Sequence, residues 1–142
     1  MKKLIAKTVI AFAALGLVAP PSQAHHAFAA EFDAAKPVKV TGAVTKVRYV
    51  NPHSWIYVDV KSADGTVTNW GFEFGTPASI ENAGLSKQDF HPGAVITLQG
   101  FRSKNGGTFG HATKTTLADG RSIGTGSAPD EPGATARPAG AN

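Results

Sequence analysis

The chain has 142 residues, 42% of them hydrophobic and 17% charged, which suffices for one compact core and not comfortably for two. Its formal charge of +4 falls to 11 basic against 10 acidic side chains once Lys2, Lys3 and Lys7, which lie in a signal-like leader, are set aside. Near neutrality argues against a nucleic-acid partner, whose phosphates need a clustered excess of Lys and Arg, and the absence of Cys excludes a disulfide framework, a thiolate zinc site, an iron–sulfur cluster and a lipidated cysteine anchor.

Lys2 and Lys3 precede an apolar run to Val18, Pro20-Pro21 breaks it, and Ser22-Gln23-Ala24 supplies small residues where a secretory peptidase reads them. The run is shorter than the roughly 18 to 20 residues that span a bilayer, so residues 1–24 are expected to be a signal peptide cleaved after Ala24, with export to the periplasm and no membrane anchor afterwards. Residues 25–37 read as an N-terminal arm. From Val38 the spacing of Val38, Val40 and Val44, then Val47, Tyr49 and Val50, predicts a long first strand with a bulge near Lys46. After Asn51-Pro52, Ile56, Val58 and Val60 alternate with Trp55, Tyr57 and Asp59 in a second strand, and Asp64-Gly65 signals a hairpin into a third, where Trp70, Phe72 and Phe74 oppose Asn69, Gly71 and Glu73.

Thr76 as N-cap, Pro77 at the first helical position and Gly84 beyond the end predict a short helix, with a further turn over residues 85–90. Residues 94–98 and 108–117 read as fourth and fifth strands, with Asp119-Gly120 bending the chain toward a short end at residues 121–123. The order predicts an all-β domain over residues 38–123: a small five-stranded OB-like, partly open barrel with one short helix between strands 3 and 4. Trp55, Trp70, Phe72, Phe74 and Phe101 are its expected core aromatics, and residues 124–142, poor in apolar side chains, read as a disordered tail.

With no Cys, and Met only at position 1, the metal ligands on offer are His and carboxylate, a set that favours Cu(II), Zn(II) or Ni(II) over Cu(I). Cleavage after Ala24 would give His25 a free α-amine beside its own imidazole Nδ1, two nitrogens that close a chelate on one metal. An amine of pKa about 8 gives up its proton at little cost. His53, in Asn51-Pro52-His53-Ser54-Trp55 at the mouth of a strand, is the best further donor, and His26 is a third candidate. The plainer alternatives are a frayed end at His25 and His26, and a His53 ring packed on Trp55 or Tyr57. His91 before Pro92-Gly93 reads as exposed, whereas His111, among small residues, faces either a pocket or an open edge. Glu73 is open to three readings: ligand, acceptor for a ligand's ring N–H, or solvated side chain. Trp55, Tyr57 and Glu73 also suit a ligand groove on the second and third strands. No nucleophile elbow, phosphate loop or zinc-protease motif is present, so the sequence gives no indication of an enzyme.

Ala24-His25-His26-x-Phe28, Glu31-Phe32-Asp33, Gly42-x-Val44-x-x-Val47, Asn51-Pro52-His53-x-Trp55, Pro92-Gly93 and Leu117-x-Asp119-Gly120-Arg121 together resemble an uncharacterised family of small secreted bacterial proteins, a domain of unknown function. The resemblance implies an OB-like periplasmic fold, places the His-His pair and the Asn-Pro-His motif in the family pattern, and supplies no activity. The expectation is therefore a periplasmic binding protein for a divalent metal, copper favoured as cofactor, held by His25, His26 and His53. The alternative is a non-metal interaction module that binds a protein, a peptide or a small apolar ligand on its aromatic strand face.

Overall fold

The computed structural model describes residues 28–126, 128 and 130–133. The leader, the cleavage point, His25 and His26 lie outside the described residues. The described chain begins with a single helical turn, α1 (Phe28–Glu31), and then enters β1 (Phe32–Arg48). It continues through β2 (Ser54–Lys61), β3 (Val67–Phe74), α2 (Pro77–Asn82), a 3-10 turn (Lys87–Phe90), β4 (Val95–Ser103), β5 (Phe109–Thr116) and β6 (Ser122–Gly124). The fold is mostly antiparallel β-sheet, with the strands paired in the order β3-β2-β1-β4-β5-β6 and a further parallel pairing of β3 with β5. Among the described residues, no helix is long and apolar enough to cross a membrane.

Local sequence sets these elements. Strand β1 serves both β2 and β4, and its register with β2 slips between Val44 and Lys46, where the apolar spacing changes phase. The β2–β3 hairpin closes at Gly65, whose φ of 87° requires glycine, and the Asp64 carboxylate accepts the Thr66 N–H at 2.9 Å. Helix α2 starts at Thr76, whose hydroxyl accepts the Ser79 N–H at 3.0 Å, has Pro77 at its first position and ends before Gly84 at φ 80°.

Among the described residues the sheet has six strands where the sequence predicts five. After the Asp119-Gly120 turn, residues 122–124 run back along β5, pairing Ser122 with Thr116 and Gly124 with Lys114. Three residues are too few for an alternating pattern to register in sequence. The first strand also starts earlier than Val38: Phe32 already pairs with Ser103, so much of the expected arm is strand.

One face of the sheet encloses the main core. Val44, Ile56, Val58, Phe72, Phe74, Ile96 and Leu98 meet Ile80, Leu85 and Phe90 from the helical connection. Each large side chain buried there stabilises the fold by about 1.5–3 kcal/mol. A second, smaller cluster of Phe28, Phe32 and Ala128, with Phe101 packed against it, forms apart from the first. Of the expected core aromatics, Phe72 and Phe74 are fully buried and Trp70 packs against the main core, while Phe101 belongs to the second cluster. Trp55 lies outside both, because Ser54, Ile56 and Val58 take the inward positions of β2. Within the segment read as a tail, Thr125 and Ala128 are buried, and Thr125 joins the end of β3 to β5 by accepting the Gly75 N–H and donating to Thr113 O, both at 2.9 Å.

Candidate functional site

The candidate site lies on the side of the sheet away from the main core. In β3 the pleat turns Phe72 and Phe74 inward, so Glu73 between them points outward. Trp55 of β2 pairs with Glu73 from one side and His111 of β5 pairs with it from the other, and directly paired residues share a face. His53, two positions before Trp55, falls on that face too. The result is a row with a carboxylate at its centre: Glu73 Oε1 stands 3.5 Å from His53 Nδ1 and 3.6 Å from His111 Nδ1. With Nδ1 of His53 turned to Glu73, Nε2 is the ring nitrogen directed away from it.

His111 is fully buried although it points away from the main core. Phe28 and Phe32 cover its ring, at centroid distances of 5.6 and 5.2 Å, and Glu131 Oε2 reaches its Nε2 at 2.5 Å. Burial pushes the His111 pKa down, but the Glu131 carboxylate and then Glu73 outweigh it and hold it at about 9, so the ring is an imidazolium at neutral pH. Its Nδ1 finds no hydrogen-bond partner among the described residues, since 3.6 Å to Glu73 is an ion-pair distance and too long for a hydrogen bond. Gly126 makes room for this arrangement: a Cβ there would overlap the Glu131 carboxylate.

Beside the row runs an aromatic strip. Phe109, 46% exposed, meets Trp55 edge-on at 6.3 Å, and the Phe109 and Tyr57 rings both lie over Gly71, where a Cβ would come within 2.9 and 3.1 Å of them. Tyr57 is the cross-strand partner of Gly71. His91 is exposed, its Nδ1 3.0 Å from the Pro92 carbonyl, well apart in sequence and contact from the row.

Of the residues singled out in the sequence, the structure therefore brings His53, Glu73, Trp55 and Tyr57 to one face. It adds His111, whose Gly110 and Ala112 neighbours hinted at a confined position, and Glu131, which carries no sequence signal. Among the described residues no three His, Asp or Glu side chains stand close enough to hold a metal ion. What the described row can do is orient one imidazole, that of His53, with a carboxylate that is itself held by a buried cation.

A model described as a family of unknown function, DUF6152, matches residues 14–113. The chain belongs to that family. The DUF6152 match takes in His25, His26, His53, Glu73 and His111 and stops short of Asp130 and Glu131. No curated protein and no solved structure matches the chain.

Proposed function

We propose that this DUF6152 protein is an exported, periplasmic binding protein that takes a divalent metal, copper favoured, through His25, His26 and His53. The observation that carries the reading is the Glu73 carboxylate 3.5 Å from His53 Nδ1. A carboxylate on one ring nitrogen fixes the orientation and tautomer of a histidine whose other nitrogen binds metal, the usual support for an imidazole ligand. In this reading Glu73 orients and His53 ligates. The remaining donors are the amine and ring of His25, with His26 beside it. Phe28, packed against His111, lies three residues beyond His25, which keeps the two α-carbons within about 11 Å of each other by chain length alone.

The sheet reads as an OB-like, partly open barrel with α2 between the third and fourth strands, a reading supported by β3 meeting β5 after the chain has passed through β2, β1 and β4. A barrel of that kind offers a rigid mouth on which His53 is mounted. The exposed Phe109 with Trp55 and Tyr57 favours a second reading, an interaction surface for a periplasmic protein, a peptide or a small apolar ligand.

A Cu(II) titration of mass-verified protein beginning at His25, followed by electron paramagnetic resonance, separates the two. The metal reading expects one tight equivalent with nitrogen couplings, lost in His53→Ala and in a form with one extra N-terminal residue. Weak binding indifferent to both changes would overturn it and leave the aromatic strip as the functional surface.

A further inference from the structure

We propose that the outer face of β1, β2, β3 and β5 binds an acidic oligosaccharide, its sugar rings stacked on Trp55, Tyr57 and Phe109 and its carboxylates paired with Lys46 and Arg48. The inference rests on the second reading above, the aromatic strip as an interaction surface, and needs no metal.

Cross-strand register sets the cations beside the rings. Lys46 pairs with Tyr57, Tyr57 with Gly71 and Gly71 with Phe109. In the next outward row Arg48 pairs with Trp55, and Trp55 with Glu73. Val47, between the two cations, packs on the main core, so Lys46 and Arg48 turn to the opposite side, the side of the rings, and both are exposed. A cation beside an aromatic ring thus occurs twice, at outward positions about 6–7 Å apart along the strands. Gly71 completes the platform. Because it has no side chain, the Tyr57 and Phe109 rings come together over its backbone, and Trp55 meets Phe109 edge-on at 6.3 Å.

The charges on this face are complementary to an anion. All ten acidic side chains of the chain lie within the described residues, and none of them forms an ion pair with Lys46 or Arg48. The acids nearest in register are engaged elsewhere: Glu73 stands between His53 and His111, and Asp59 accepts from the Asn69 side-chain amide at 2.7 Å. The β2 backbone from Trp55 to Tyr57 is paired on both sides, so the face presents no open strand edge to which an extended peptide could add, and recognition falls to rings and cations. A chain of uronate sugars supplies the matching groups in each unit, an apolar ring face to stack and a carboxylate to pair. A nucleic acid would need a clustered excess of Lys and Arg, which a chain with 11 basic against 10 acidic side chains outside its leader lacks.

The test is calorimetric titration of protein beginning at His25 with tetragalacturonate, with its methyl ester and with a thymidine oligonucleotide, EDTA being present to keep divalent metals out. The variants are Trp55→Ala, Phe109→Ala and the double change Lys46→Gln with Arg48→Gln. Trp55 and Phe109 lie outside both clusters and the two cations are exposed, so the core is untouched. The expected result is tetragalacturonate binding that weakens about tenfold or more in Trp55→Ala and in the double variant, with the uncharged ester bound at least about tenfold more weakly than the acid. Equal affinity for acid and ester, unmoved by the double variant, would overturn the acidic class and leave the aromatic strip as the functional surface. Binding lost in the double variant and unchanged in Trp55→Ala and Phe109→Ala would overturn the stacking. Wild type that binds neither sugar would overturn the proposal and leave the strip to a protein, a peptide or an apolar ligand, and tighter binding of the oligonucleotide would overturn it in favour of a nucleic acid.

Discussion

Replacing Glu131 by Gln keeps the shape of the side chain and removes the charge that faces the buried His111 ring. His111 is held at about 9 against an ordinary value of 6.5, and at about 1.4 kcal/mol per pH unit that gap corresponds to about 3 kcal/mol of folding stability. The folded-state pKa is raised, so this stability is fully present below pH 6.5 and is lost as the pH climbs through 9. Glu131 makes the closer of the two contacts, 2.5 Å against 3.6 Å for Glu73, and should account for the larger part, about 2 kcal/mol. Urea denaturation of wild type and Glu131→Gln at half-unit steps from pH 6 to 9.5 measures it. The variant is expected to be less stable by about 2 kcal/mol at pH 6, a drop in melting temperature of about 8–16 °C for a domain of this size, with the gap closing toward pH 9.5. Equal stability at pH 6, or a gap that does not change with pH, would refute the buried imidazolium.

Two further substitutions probe the same packing. Gly126→Ala places a methyl group where the Glu131 carboxylate sits, so it should reproduce the pH-dependent loss of Glu131→Gln in the same denaturation series, although it removes no charge. Phe74→Ala empties a fully buried position that meets Phe90 edge-on at 5.7 Å, and should cost about 3–5 kcal/mol at every pH, read as a shift in denaturation midpoint without a change in slope.

The elements were legible where local chemistry decides them. The bulge near Lys46 follows from a change of apolar phase, the β2–β3 hairpin from Asp64-Gly65, and α2 from Thr76, Pro77 and Gly84. The outward setting of Trp55 was also implicit, since Ile56 and Val58 alternate with it. The row was only half legible. His53 announces itself beside Pro52, but its proximity to His111 depends on the parallel pairing of β3 with β5, which joins residues 38 positions apart and has no local signature. Glu131 was hidden for a different reason. The composition around it has too little apolar surface to order a segment, and what seats it is a buried cation twenty residues away together with a single alanine.

The short parallel ladder from Gly71–Glu73 to Phe109–His111 also bears on the order of assembly. The β2–β3 hairpin and the antiparallel β4–β5 pair each join neighbours in sequence and can form at modest entropic cost, whereas the ladder joins strands from the two of them and must close a longer loop. Glu73 and His111 face each other across that joint. A chain that has made the β2–β3 hairpin and not yet closed the joint would already hold His53 against Glu73 and would lack the His111 half of the row, so the two halves of the row form in different steps.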